Sequence, residues 1–81
     1  MKLSKAQIAT LEAVERGEVR KVYPLYMSKP PMIFGARKKT LEILIERSLV
    51  FLERQPKKVV KPDDYYRLTY AGRAALEEVR K

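Results

Sequence analysis

The stretch that most restricts the fold of this chain is its second half, TLEILIERSLVFLERQPKKVVKPDDYYRLTYAGRAALEEVRK, which reads as helix, strand, basic loop, strand, helix. A helix that runs straight into a β-hairpin gives a small body two neighbouring protrusions, and lysines in the hairpin loop make one of them cationic. With 81 residues the chain can hold one small domain, which buries roughly 60 to 65% of its unfolded surface. Residues 1–81 are therefore expected to form a single domain around one core. An apolar fraction of 46% with only three glycines is too hydrophobic for disorder, although 35% of the residues are charged.

The charge is unevenly placed. Eighteen Lys and Arg oppose ten Asp and Glu, a net of +8. Residues 18–40 hold Arg20, Lys21, Lys29, Arg37, Lys38 and Lys39 against Glu18, and residues 55–61 add Lys57, Lys58 and Lys61 without an acid. These two segments account for the net charge. In one dimension this is what a basic patch for a polyanion looks like, the alternative being a merely solubilising surface.

The start of the first helix is written in four residues. Ser4 and Gln7 have capping-box spacing, and Leu3 and Ile8 occupy the hydrophobic-staple positions. Ile8, Leu11 and Val14 form its apolar stripe, and Gly17 stands where a left-handed cap would end it near Arg16. In residues 18–34 the β-formers Val19, Val22, Tyr23, Leu25 and Tyr26 flank Pro24, which removes a ladder donor, so an edge strand is expected. Lys29-Pro30-Pro31 then favours a turn before Gly35.

From about Ala36 the period becomes helical, with Leu41, Leu44, Ile45, Ser48 and Leu49 on one face and Lys38, Lys39, Glu42, Glu46 and Arg47 largely on the other. VFLER and Tyr65–Leu68 are expected to pair as a hairpin around a loop bounded by Pro56 and Pro62. Thr69 is placed to cap a last helix in which Ala75, Leu76 and Val79 face the core.

The residue inventory argues against catalysis. Without His or Cys the commonest general base, the commonest nucleophile and the usual zinc ligands are missing, and neither a disulfide nor a thiolate metal site can staple the fold. No cofactor or metal is expected. Asp63-Asp64 is an adjacent acidic pair whose members would point to opposite faces of a strand, so turn capping is the expectation for them. Apolar runs are too short to cross a membrane or to act as a secretory signal, so no membrane partner and a cytoplasmic setting are expected.

Two cationic elements suggest how a polyanion would be met. Arg37, Lys38 and Lys39 fall in the first turn of the central helix, where the macrodipole is already positive, and Thr40 adds a hydroxyl. A cationic helix start with free backbone N–H groups seats a phosphate well. Lys57, Lys58 and Lys61 bracket Val59-Val60 in the hairpin loop, where they would lie along a backbone, or would instead blunt an exposed β edge. Tyr23 and Tyr26, interleaved with Arg20, Lys21 and Lys29, could stack on unpaired bases or pack at the strand.

LEILIERSLVFLE followed by YRLTYAGRAAL resembles the recognition helix, wing and closing helix of bacterial winged-helix regulators, including the multiple-antibiotic-resistance repressor type. Those proteins carry an arginine, glycine, leucine, valine run after the helix, matched here by Arg47, Ser48, Leu49 and Val50 with Ser48 in the glycine place. They also carry a tyrosine, x, leucine, threonine, x, x, glycine run, matched by Tyr66, Leu68, Thr69 and Gly72. The resemblance spans about residues 36–80 and implies base contacts from Arg37, Lys38, Lys39 and Thr40, with phosphate contacts from the wing lysines. Upstream, where the family has a positioning helix, this chain has the proline-broken residues 24–35.

The fold expected is a small α+β winged helix in the order helix, edge strand, turn, helix, two-stranded wing, helix. The function expected is non-catalytic binding of double-stranded DNA, as a small transcriptional regulator. The alternative is a protein-binding adaptor or inhibitor that docks the same basic face on an acidic partner, and a homodimer is compatible with either.

Overall fold

The computed structural model describes residues 2–23, 30–54 and 63–81. They form α1 (Lys5–Glu15), β1 (Arg20–Val22), β2 (Met32–Phe34), α2 (Lys38–Glu46), β3 (Val50–Glu53), β4 (Asp64–Leu68) and α3 (Tyr70–Arg80). The strands make one antiparallel sheet in the order β2-β1-β4-β3. The helices lie on one of its faces, so the architecture is the expected α+β winged-helix arrangement with one additional strand. The hairpin-loop lysines Lys57, Lys58 and Lys61, together with Lys29 and Tyr26, lie outside the described residues.

Local chemistry sets the helix boundaries. Ser4 caps α1 through a complete capping box with Gln7, and Leu3 and Ile8 both pack against the core. The N–H of Gly17 donates to the Val14 carbonyl and that of Glu18 to the Ala13 carbonyl, which closes the helix as a Schellman motif. α2 ends in the same way without a glycine. Ser48 takes the left-handed conformation at φ 61°, its N–H donates to Ile45 at 2.9 Å, and the Leu49 N–H donates to Leu44 at 2.9 Å. Leu44 and Leu49 are both fully buried, which supplies the hydrophobic contact of the motif.

The core joins the helices to the inner face of the sheet. Leu11 and Val14 of α1, Leu41 and Leu44 of α2, Leu76 of α3 and the inward Val19, Val50 and Tyr66 form one cluster. Each such aliphatic side chain contributes roughly 1.5 to 3 kcal/mol by leaving water. Arg80 ties the end of α3 to α1 through Glu15 at 2.8 Å and Glu12 at 3.6 Å, an exposed pairing that orients more than it stabilises.

Three expectations are corrected here. Residues 30–34 are not simply a turn, because Met32–Phe34 pairs antiparallel with β1 in the register Val22↔Met32 and Arg20↔Phe34. β1 is consequently an interior strand with neighbours on both sides; it ends at Val22, and Pro24 lies outside the described residues. Val79 is 44% exposed, since only Leu76 and, partly, Ala75 of the last helix reach the core.

The turn after α2 is tightly built, which gives a paired prediction. A Cβ on Gly72 would collide with the Leu49 carbonyl, so Gly72→Ala should cost roughly 2 to 4 kcal/mol in urea unfolding. Ser48→Gly should instead gain up to about 1 kcal/mol by relieving the left-handed serine.

Candidate nucleic-acid interface

The basic residues of the central helix are set by the turn that enters it. Gly35, at φ 91°, packs its α-carbon against the Glu18 carbonyl so closely that a side chain would clash. This brings the chain from β2 into α2 beside the end of α1. Arg37 is the N-cap residue in extended conformation and makes no side-chain capping bond, unlike Ser4 and Thr69. Lys38, Lys39 and Thr40 follow as the first three helical residues, and the first backbone bond of the helix is from Leu41 to the Arg37 carbonyl. The amides of the first turn are therefore left for solvent or a ligand.

Arg37, Lys38 and Lys39 are all exposed, and none forms an ion pair with a described residue. They splay around the helix start. Lys38 borders a groove of about 470 Å³ with Leu41, Glu42 and Ile45 on α2 and with Lys21, Ile33 and Tyr66 on the sheet. Arg37 and Thr40 line a smaller depression against Ala6, Ala9 and Thr10 of α1.

The two β1 cations part company. Lys21 reaches the same groove as Lys38, with its ammonium 5.6 Å from the centre of the Tyr23 ring. Arg20 points to the opposite face of the sheet, where it lies over Phe34 and bridges to Asp63 at 3.7 Å. The structure thus gathers Lys21 with the start of α2 and separates Arg20 from them. Lys29, Lys57, Lys58 and Lys61 are outside the described residues.

Sequence reasoning missed the groove, because its sheet wall depends on β2. The short apolar run Met32-Ile33-Phe34 after two prolines was the available signal. Glu42 and Glu46, one to two turns into α2, are exposed acids that would repel phosphate. They confine any favourable contact with a polyanion to the first turn.

Asp63 and Asp64 face opposite ways, as strand alternation requires, and the turn they were expected to cap lies outside the described residues. Asp63 pairs with Arg20, while Asp64 is buried at the start of β4 and accepts the Tyr23 hydroxyl at 2.9 Å. Tyr23 is thereby fixed at the strand rather than presented for stacking. Burial, then the bond to Asp64 and its negative charge, push the Tyr23 phenol above its usual range. Burial, Asp64 and Glu42 do the same to Tyr66.

Among the described residues no helix is long and apolar enough to cross a membrane. The chain matches no protein-family model, no curated protein and no solved structure.

The raised tyrosines make stability depend on alkaline pH. The folded chain holds those two protons more tightly than the unfolded one, so their contribution is complete below the ordinary tyrosine value of about 10 and is lost as pH rises past it. Urea unfolding should show this decline. Tyr23→Phe should flatten part of it and cost about 1 to 2 kcal/mol at neutral pH, because Asp64 loses a donor.

Proposed function

We propose that this chain is a non-catalytic protein that binds double-stranded DNA, acting in the cytoplasm as a small transcriptional regulator. One observation carries the reading. Among the described residues, α2 alone of the three helices begins without a side-chain cap, and it begins instead with three cations that no described acid neutralises. Each cation costs roughly 0.3 to 1 kcal/mol against the helix dipole, a cost with no structural return. A phosphate placed at the exposed amides would answer both the dipole and the side chains. Resemblance of the α2, hairpin and α3 segment to winged-helix regulators supports the same docking. The N-terminal end of α2 would enter a major groove with Arg37, Lys38, Lys39 and Thr40, and Lys57, Lys58 and Lys61 of the wing would hold flanking phosphates.

The acids on α2 favour a second reading. Glu42 and Glu46 next to the exposed Ile43 and Ile45 suit a protein partner better than a base edge, and an acidic adaptor target would still be drawn to the basic helix start.

Titration with fluorescent duplex DNA at a series of salt concentrations separates the two. The DNA reading expects a log-log slope of about −4 to −6, for roughly five to seven neutralised phosphates. Absence of duplex binding at low salt removes it in favour of the protein partner. Lys57→Ala with Lys58→Ala should lower affinity on every sequence and reduce the slope by roughly two.

Charge reversal distinguishes site from scaffold. Lys38→Glu should abolish duplex binding at moderate salt while leaving stability equal or raised by up to about 1 kcal/mol, because an acid suits the helix start. Thermal unfolding and fluorescence anisotropy on the same sample read both. A destabilised variant with unchanged affinity would make this helix start structural.

A further inference from the structure

The sheet has a second face, which the DNA reading does not use. Strand alternation and register set Phe34, Arg20, Tyr65 and Glu53 in one row across all four strands, with Phe51 and Arg67 in a second row. The core lies on the other side, and this one is open: Met32 is 58%, Phe34 43% and Phe51 44% exposed. Arg20 lies 5.6 Å from the centre of the Phe34 ring, and Arg67 5.5 Å from that of Tyr65. Each arginine also has a carboxylate beside it, Asp63 at 3.7 Å and Glu53 at 3.5 Å. Among the described residues the face therefore carries two cations and two anions, and its charges balance there on a chain of net charge +8.

Neutrality selects the occupant. A nucleic-acid strand would find both guanidinium groups already paired and two carboxylates facing its phosphates. An acidic protein would find no excess of positive charge. A second copy of this chain meets the opposite situation. Two bodies of charge +8 repel in most orientations, and the neutral face is where their approach costs least. The rings and Met32 supply apolar surface to bury, and the Arg–carboxylate pairs can be exchanged between copies related by a two-fold axis. Two sheets stack face to face about 10 Å apart.

We propose that the outer face of the four-stranded sheet is a self-association surface, on which two copies pack sheet to sheet about a two-fold axis. The proposal is independent of what α2 binds.

Sedimentation equilibrium of the whole chain from micromolar to millimolar concentration tests it. The mass should rise from 9.5 kDa toward twice that value, and association should strengthen with added salt as the +8 on +8 repulsion is screened. Phe34→Glu and Phe51→Glu, at positions already exposed in the monomer, should each weaken the dimer about tenfold or more, as expected of a central aromatic contact. Circular dichroism checks that both variants fold. If one does not, dilution of the wild-type chain followed by NMR replaces it: signals of Met32, Phe34 and Phe51 should shift with concentration while those of Lys5 and Ala6 on α1 stay fixed. A folded wild-type chain that is monomeric throughout overturns the proposal. So does a dimer that weakens with salt, one indifferent to both substitutions, or shifts confined to the helical side.

Discussion

The carbonyl groups of Ser48 and Leu49 are where α2, the hairpin and α3 are held to one another. The Thr69 hydroxyl donates to Ser48 at 2.6 Å while accepting the Gly72 N–H at 2.9 Å, so one side chain both caps α3 and holds the end of α2. The Thr69 N–H donates to the Leu49 carbonyl at 3.1 Å, and Gly72 lies against that carbonyl with no room for a side chain. Each bond is worth only about 0.5 to 1.5 kcal/mol net. Their effect is geometric: β3 must leave α2 in one direction, and the inward Val50, Leu52, Tyr66 and Leu68 must then face the core. This also explains physically why a serine in the left-handed place is tolerated, since the surrounding bonds over-determine its conformation.

What was legible in the sequence was local. Ser4 with Gln7, Gly17 and Thr69 fix helix ends through bonds spanning three to five residues, so their spacing alone sufficed. The hairpin was legible because VFLER and Tyr65–Leu68 are rich in β-formers and flank a segment bounded by Pro56 and Pro62. β2 was not, because Met32–Phe34 is three residues long and exists through pairing with β1 rather than through its own pattern. Once β2 is missed, β1 is misplaced at an edge, the groove beside Lys38 has no wall, and the outer row from Phe34 to Glu53 cannot be assembled. Among the candidate cations the sequence indicated type but not direction: Arg20 and Lys21 are neighbours in the chain and lie on opposite faces of the sheet.

The two surfaces differ in how charge is treated. Over the outer sheet face every described arginine is matched by an acid and shares a ring, so its electrostatics are closed. At the start of α2 the three cations are additive to the helix dipole and are matched by no described acid. A surface that is merely solubilising has no reason to concentrate cations at the one helix end where they are least stable, when the exposed acids Glu42 and Glu46 occupy the body and end of the same helix in the reverse of the favourable order. The order is unfavourable for the helix alone and favourable for a helix that has an anion at its start.

The sheet separates these two surfaces, and the separation has a geometric consequence if both are used. Copies packed sheet to sheet would carry their α2 helices on opposite outer flanks, facing away from each other. Such a pair could not set its two helix starts into successive major grooves of one straight duplex, which lie about 34 to 36 Å apart on the same side. It would hold two separate DNA segments, or a strongly bent one, with the neutral sheets between them. A dimer of that geometry would prefer crossed or looped DNA over a linear palindrome, and palindromic half-sites would bring it no gain in affinity.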